Sequence, residues 1–101
     1  MRIIATVHLD KARPALILTR PSKLHLLTWV TVAPITSTIR GITSEVRVGT
    51  RNGLDHDSVI SLDNISTVRK ESVGQAIGVL FDDQETDLAA RAISDAFDLH
   101  L

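Results

Sequence analysis

Three groups of polar side chains in this 101-residue chain stand where apolar, strand-like segments begin or end. Arg13 precedes Pro14 at the opening of the run Pro14 to Leu18. Proline has no amide hydrogen and sits at a strand start or edge, so Arg13 is expected on the rim of a sheet. Thr36, Ser37 and Thr38 follow Ala33-Pro34-Ile35, with Arg40 two residues further on. Ser61-Leu62-Asp63-Asn64 forms the third group, and strand alternation predicts Ser61 and Asp63 on one face with Leu62 opposite. The planar donor fork of arginine matches phosphate oxygens, and its permanent positive charge makes it a stabiliser of negative charge and a poor base. Taken singly, each group is more often a turn or a satisfied strand end than a site.

Other chemistries find less support. His8, His25, His56 and His100 never fall into a spacing that gathers metal ligands on one element. The nearest cluster, Asp55-His56-Asp57, follows Asn52-Gly53 and reads as a turn whose small polar residues serve local backbone groups. No Ser, His and Asp set can be picked out, and no glycine-rich phosphate loop precedes a helix. The absence of cysteine excludes disulfides, thiolate metal sites and a cysteine nucleophile.

The elements that must carry these groups are mostly strands. Val, Ile and Thr dominate segments at roughly 2–9, 14–20, 27–36, 43–49 and 58–64. Arg40-Gly41 and Asn52-Gly53 mark turns, and Pro21-Ser22-Lys23 opens a loop before Trp29. This spacing of short strands predicts a small barrel or a strongly bent sheet. Near the C-terminus the period changes: Leu88, Ala92, Ile93, Ala96 and Phe97 share one face of a helix of about four turns. Asp82 is expected to be its N-cap with Glu85 completing a capping box, and Asp87 to pair with Arg91 across one turn. The fold class is therefore mainly β with a C-terminal α-helix, and residues 1–101 are expected to act as one unit.

Eleven basic and twelve acidic side chains give a net charge of −1, which taken as a total argues against a nucleic-acid partner. Position reverses that impression. Residues 1–54 hold eight basic side chains and two acidic ones, a balance of +6, whereas residues 55–101 hold three basic and ten acidic ones, a balance of −7. Such asymmetry favours nucleic acid or a charged partner if the fold gathers the basic residues. Trp29, Phe81 and Phe97 are the only aromatics, so base stacking on exposed rings is not expected to dominate. Apolar runs such as 14–18 and 76–81 are far shorter than the roughly 20 residues of a membrane-spanning helix. His8 and Asp10 interrupt the first apolar stretch too early for a signal-peptide core, and a cytoplasmic location is expected.

In order, RPALILT (13–19), APITST (33–38), SVISLDNIST (58–67), a GQAIGVL strand (74–80) and the final amphipathic helix resemble the MazF/PemK/Kid family of toxin–antitoxin ribonucleases over nearly the whole chain. The resemblance implies a small SH3-like or CcdB-like barrel and a homodimer. It also implies metal-independent cutting of single-stranded RNA without a cofactor, and neutralisation by an antitoxin with an acidic tail. It maps the family's functional arginine onto Arg13, its threonine onto Thr36 and the catalytic aspartate of some members onto Asp63, followed by Asn64. Those members carry an arginine two residues before the aspartate, where this chain has Ser61. Only Asp10, Lys11 and Ala12 separate Leu9 from Arg13, where many relatives hold a longer loop.

Metal-free RNA cleavage needs the 2′-hydroxyl to attack the adjacent phosphorus, a base for its proton, an acid for the 5′-oxygen, and fixed positive charge. Arg13 suits the charge and Thr36 a hydroxyl contact to the same phosphate. The base stays open between Asp63, by resemblance, and His8 or His25. RNA contacts are expected from Arg20, Lys23, Ser37, Thr38, Arg40, Ser61 and Asn64, with Arg13, Arg20, Lys23, Arg40, Arg47 and Arg51 gathered around a dimer groove. Two alternatives share the fold without cutting RNA. A gyrase poison of the CcdB type depends on a Trp-Gly-Ile ending, whereas this chain ends Asp98-Leu99-His100-Leu101. A degenerate member would only bind the antitoxin.

Overall fold

The computed structural model describes residues 1–8 and 11–97. Among these residues seven strands precede one helix: β1 (Arg2–His8), β2 (Ala12–Ile17), β3 (Trp29–Thr36), β4 (Glu45–Val48), β5 (Ser58–Ser61), β6 (Ser66–Arg69), β7 (Val73–Leu80) and α1 (Asp82–Phe97). Short 3-10 turns occupy Pro21–Leu26, Thr50–Asn52, Leu62–Asn64 and Lys70–Ser72. The sheet runs β4-β5-β3-β2-β1-β7, and β6 also pairs with β3. All pairings are antiparallel.

β3 makes the bend. Its first half, Trp29 to Val32, pairs with β6, while Ile35 and Thr36 pair with β5. A strand shared in this way turns the sheet into a half-barrel closed at one end by α1, so the mainly β class with a C-terminal helix is what the chain adopts. Period-two alternation sorts the apolar residues onto two faces. Ile4, Leu16, Ala33 and Ile35 point into a core roofed by Val46, Val48, Ile60, Leu62, Leu80 and Leu88. Ala5, Val7, Ala15, Ile17, Val30 and Val32 point the other way, under Val68, Leu24 and Val73. Full burial of an aliphatic side chain such as Ile4 or Leu16 contributes roughly 1.5–3 kcal/mol, so the central strands β1, β2 and β3 carry much of the stability.

Three expectations need correction. The segment expected as one strand over 58–64 breaks after Ser61. Residues from Ser58 to Leu62 are all buried, so this stretch does not alternate, and a 3-10 turn at Leu62–Asn64 sends the chain back as β6. Ser61 and Leu62 are therefore both inside and Asp63 outside, rather than Ser61 and Asp63 sharing a face. Second, β2 starts at Ala12, so Arg13 lies within the strand, paired with Val7. Third, Asp82 is the first residue of α1 and not its cap. Gln84 accepts a hydrogen bond from the Phe81 amide, the Glu85 amide donates to the Phe81 carbonyl, and Asp82 and Glu85 instead meet the Met1 amino group, with Glu85 also on Arg2. Arg91 does pair with Asp87 at 3.0 Å. Leu9, Asp10, His100 and the side chains of Ala96 and Phe97 lie outside the described residues.

Candidate functional site

The pairing of β2 with β3 places Ala15 opposite Pro34 and Leu16 opposite Ala33. Continuing that register by two residues sets Arg13 opposite Thr36. On its other edge Thr36 pairs with Val59, which brings the Ser58 end of β5 alongside. The loop of residues 53–57 then folds over, and a cavity of about 540 Å³ opens between Lys11, Arg13, Thr36, Ser37, Asp55 and His56, floored by Pro14, Ile35, Leu54 and Ile77.

This loop has a built foundation. Asn52 is completely buried; its amide nitrogen donates to the Val79 carbonyl (2.9 Å) and to the Gln84 side chain (2.7 Å). Its amide oxygen accepts from the Gly49 amide (3.0 Å) and from Gln84 Nε2 (3.1 Å). Gly53 follows in the left-handed region, with φ of 87°. A Cβ on Gly53 would collide with the Ile77 carbonyl, and one on Gly78 with the Asn52 carbonyl, so backbone rests directly on backbone. Ser58 Oγ donates to the His56 carbonyl at 3.1 Å and fixes the far end.

Several side chains of the cavity keep polar atoms available. Thr36 Oγ1 accepts from the Thr38 amide at 3.1 Å, which orients the hydroxyl and leaves its hydrogen to donate. Among the described residues, Arg13, Ser37, Asp55 and His56 have no side-chain hydrogen bond or ion pair. Arg13 is exposed, its guanidinium at the rim of the cavity although the residue lies within β2.

The other residues singled out from sequence lie elsewhere. At the Ser61 end of β5, Asp63 Oδ2 accepts from Ser44 Oγ (2.8 Å) and lies 3.4 Å from the Arg40 guanidinium, while Asn64 donates to Ser61 Oγ at 3.0 Å. Beneath them Glu45, 3% exposed, collects the amides of Gly41, Arg40 and Ile42 at 2.8, 3.0 and 3.4 Å, and pairs with Arg40 at 3.5 Å. Burial pushes the Glu45 carboxyl up, but the amides of Gly41, Arg40 and Ile42 together with the Arg40 guanidinium hold it below the ordinary value. Asp63 is thus not brought to the cavity of Arg13 and Thr36; β5 separates them.

Nor does the chain gather its basic residues at one place. Arg20 and Lys23 lie where β2 ends and β3 begins, the opposite end of these strands from Arg13 and Thr36. Arg51 pairs with Asp83 at 3.0 Å and lies 4.8 Å from the centre of the Phe81 ring, and the hydrogen bond from Arg51 lowers the Asp83 pKa. Arg40 is engaged as described, and Arg47 borders a separate hollow with Arg51, Asp57 and Gln84. His8 lies over Gly74 of β7 and His25 sits exposed in the turn of Pro21–Leu26, so neither lines the cavity. The residues missed as site members are Lys11, Asp55 and His56. The Asp55-His56-Asp57 cluster and the Asn52-Gly53 turn were the available signal, but nothing in their spacing says that the loop folds toward β2.

Known proteins share both sequence and shape with this chain. The profile of the PemK-like, MazF-like toxins of type II toxin–antitoxin systems matches residues 5–97. Endoribonuclease MazF3 of Mycobacterium tuberculosis (strain ATCC 25618 / H37Rv) is 52% identical over 99 residues, covering 98% of this chain and 95% of the relative. The solved structure of the Mycobacterium tuberculosis toxin MazF-mt6 superposes with a TM-score of 0.89 at 52% identity, over 97% of this chain and 98% of the other. A mycobacterial endoribonuclease solved in complex with its cognate antitoxin is 23% identical and shares the fold, with a TM-score of 0.80 over 96% of this chain and 92% of that one. No helix among the described residues is long and apolar enough to cross a membrane. With nearly its whole length matched in sequence and in shape, the chain belongs to the PemK-like, MazF-like toxins of type II toxin–antitoxin systems.

Proposed function

We propose that this toxin is a sequence-specific endoribonuclease that cuts single-stranded RNA by attack of a 2′-hydroxyl on the adjacent phosphorus. The observation that carries this reading is the apposition of Arg13 and Thr36 on neighbouring strands at the mouth of an open cavity. The Arg13 fork meets the non-bridging oxygens as the phosphorane forms, and Thr36 donates its hydroxyl hydrogen to the same group. Ser37 and Thr38 flank the scissile phosphate, while Arg20 and Lys23, at the far end of β2 and β3, meet RNA further along the strand. Arg40, Ser61, Asp63 and Asn64 bond with one another and with Ser44 and Glu45, and this reading gives them the task of holding the β3–β4 loop. The names of the relatives support the nuclease activity. Residues 1–101 act as one toxin domain, paired as a homodimer in the cytoplasm and neutralised by an antitoxin with an acidic tail that competes with RNA for basic surface.

The mechanism draws on the RNA's own nucleophile and asks for neither a metal nor a cofactor. Incubation in EDTA should cut an RNA transcript and leave 2′,3′-cyclic phosphate ends, while DNA of the same sequence stays intact because it lacks the 2′-hydroxyl. DNA cutting, or cutting that EDTA abolishes, overturns the reading. Expression without the antitoxin should arrest growth, and co-expression should restore it; harmless expression with no RNA cutting favours a member that only binds its antitoxin.

A further inference from the structure

We propose that His56 is the proton-transferring group of this site, an assignment that rests on the RNA-cleavage reading above. In that reaction the 2′-O–H bond breaks and its proton passes to the imidazole as the 2′-oxygen bonds to phosphorus. The bond from phosphorus to the 5′-oxygen then breaks, and the imidazolium returns the proton to that oxygen. One proton has moved, and no other reactant is consumed.

The assignment follows from what faces the cavity. Arg13 is too basic to accept a proton near neutrality, and the hydroxyls of Thr36 and Ser37 are too weakly basic. Asp55 borders the same space, but a carboxylate is ordinarily a much weaker base than imidazole and takes a hydroxyl proton less readily. Imidazole is the side chain that ordinarily both accepts and returns a proton near pH 7. Among the described residues His56 is the one imidazole that lines this cavity. Asp63 is held by Ser44 and Arg40 at the other end of β5, and His8 and His25 lie outside.

Placement makes the same point. The His56 main chain is fixed by the Ser58 hydroxyl on one side and by the Asn52-Gly53 foundation on the other, while its ring is exposed and without an internal partner. A loop anchored through a fully buried asparagine and two close backbone contacts holds a polar tip over the Arg13 and Thr36 rim. The charged groups facing the same space are Lys11 and Arg13 from the β1–β2 hairpin and Asp55 from the loop itself; β3 and the residue after it contribute Ile35 and the Thr36 and Ser37 hydroxyls, and β7 the uncharged Ile77. Asp57 follows His56 in the chain and borders the neighbouring hollow.

The test is single-turnover cutting of a long, mixed-sequence RNA transcript in EDTA from about pH 5 to about pH 9, by wild-type, His56→Ala and His56→Gln proteins. The wild-type rate should climb as imidazole loses its proton. Both variants should lose about 100-fold or more and should lack that limb, with unchanged thermal unfolding. Free imidazole added to His56→Ala should restore part of the rate. If both variants cut at the wild-type rate with the wild-type pH profile, His56 is not the group, while RNA cleavage itself stands. If the wild-type protein leaves RNA intact, the cleavage reading falls and this assignment falls with it.

Discussion

At the Ser58 end of β5, Arg13, Thr36, Ser37, Asp55 and His56 border an open cavity, with a single amide contact, to Thr36, among their side chains. At the Ser61 end, Arg40, Ser44, Glu45, Ser61, Asp63 and Asn64 bond almost entirely to one another or to nearby amides. Both ends offer guanidinium, hydroxyl and carboxylate groups, so apart from the His56 imidazole residue type does not separate them. The difference is where the hydrogen bonds go. An arginine facing two carboxylates has its charge answered within the fold, whereas an arginine on a rim without a partner can give its full fork to an incoming phosphate.

The largest expected effect lies at the open end. Arg13→Ala should slow RNA cutting by about 100- to 1000-fold, the cost typical of deleting one donor to a developing negative charge, with no change in thermal unfolding. Arg13→Lys should recover only part, because an ammonium cannot make the paired contact. Arg40→Ala should do the reverse, lowering the unfolding midpoint while cutting continues. Parallel cleavage rates and unfolding curves for the three variants check this, and equal losses of rate in Arg13→Ala and Arg40→Ala would erase the distinction between the two ends.

Next in size is the foundation shared with the open end. Asn52→Ala leaves the Gly49 amide, the Val79 carbonyl and the Gln84 side chain without their partner in a buried place. Unsatisfied groups of this kind cost about 1–3 kcal/mol, and a loss of about 2 kcal/mol shifts the midpoint of a domain this size by about 10 °C. Urea unfolding measures the loss directly. A slower cutting rate in the folded fraction should accompany it, since the His56 loop stands on this residue.

Glu45 sharpens the comparison through pH. Its carboxyl is held below its ordinary value in the folded chain, so it contributes stability above that value and loses the contribution as pH falls through the ordinary range toward the folded one. Glu45→Gln should therefore unfold at a lower temperature than wild type at neutral pH, and the gap should close under acid conditions. A gap that stays constant down to acid pH would show that the carboxylate charge is not what binds the three amides.

Much of this arrangement was legible before the structure. The order of the polar groups along the chain singles out Arg13 and Thr36, and the spacing of short strands predicts the bent sheet. What the residues did not reveal depends on long-range pairing. β5 is buried on both faces, so no alternation marks where it stops, and the 3-10 turn that carries Asp63 away from the cavity has no signal of its own. Asn52 read correctly as a turn residue, but a turn asparagine in solvent and one buried against β7 look the same in sequence. Nothing in sequence sets Glu45 apart, since the amides it collects are backbone groups that every loop possesses.

The smallest expected effect is at Asp63, where the resemblance to the family and the geometry part company. The resemblance puts a catalytic carboxylate here. In this chain the arginine that accompanies that aspartate in some relatives is replaced by Ser61, which is buried and bonded to Asn64, and Asp63 itself meets Ser44 and Arg40. Asparagine keeps an acceptor for the Ser44 hydroxyl and gives up only the charge facing an exposed guanidinium, an interaction that water screens well. Asp63→Asn should thus cut RNA within about twofold of wild type, below the roughly 100-fold loss expected for a missing general base. Loss of cutting by a normally folded Asp63→Asn would bring this end of β5 into the reaction and join the two regions into one site.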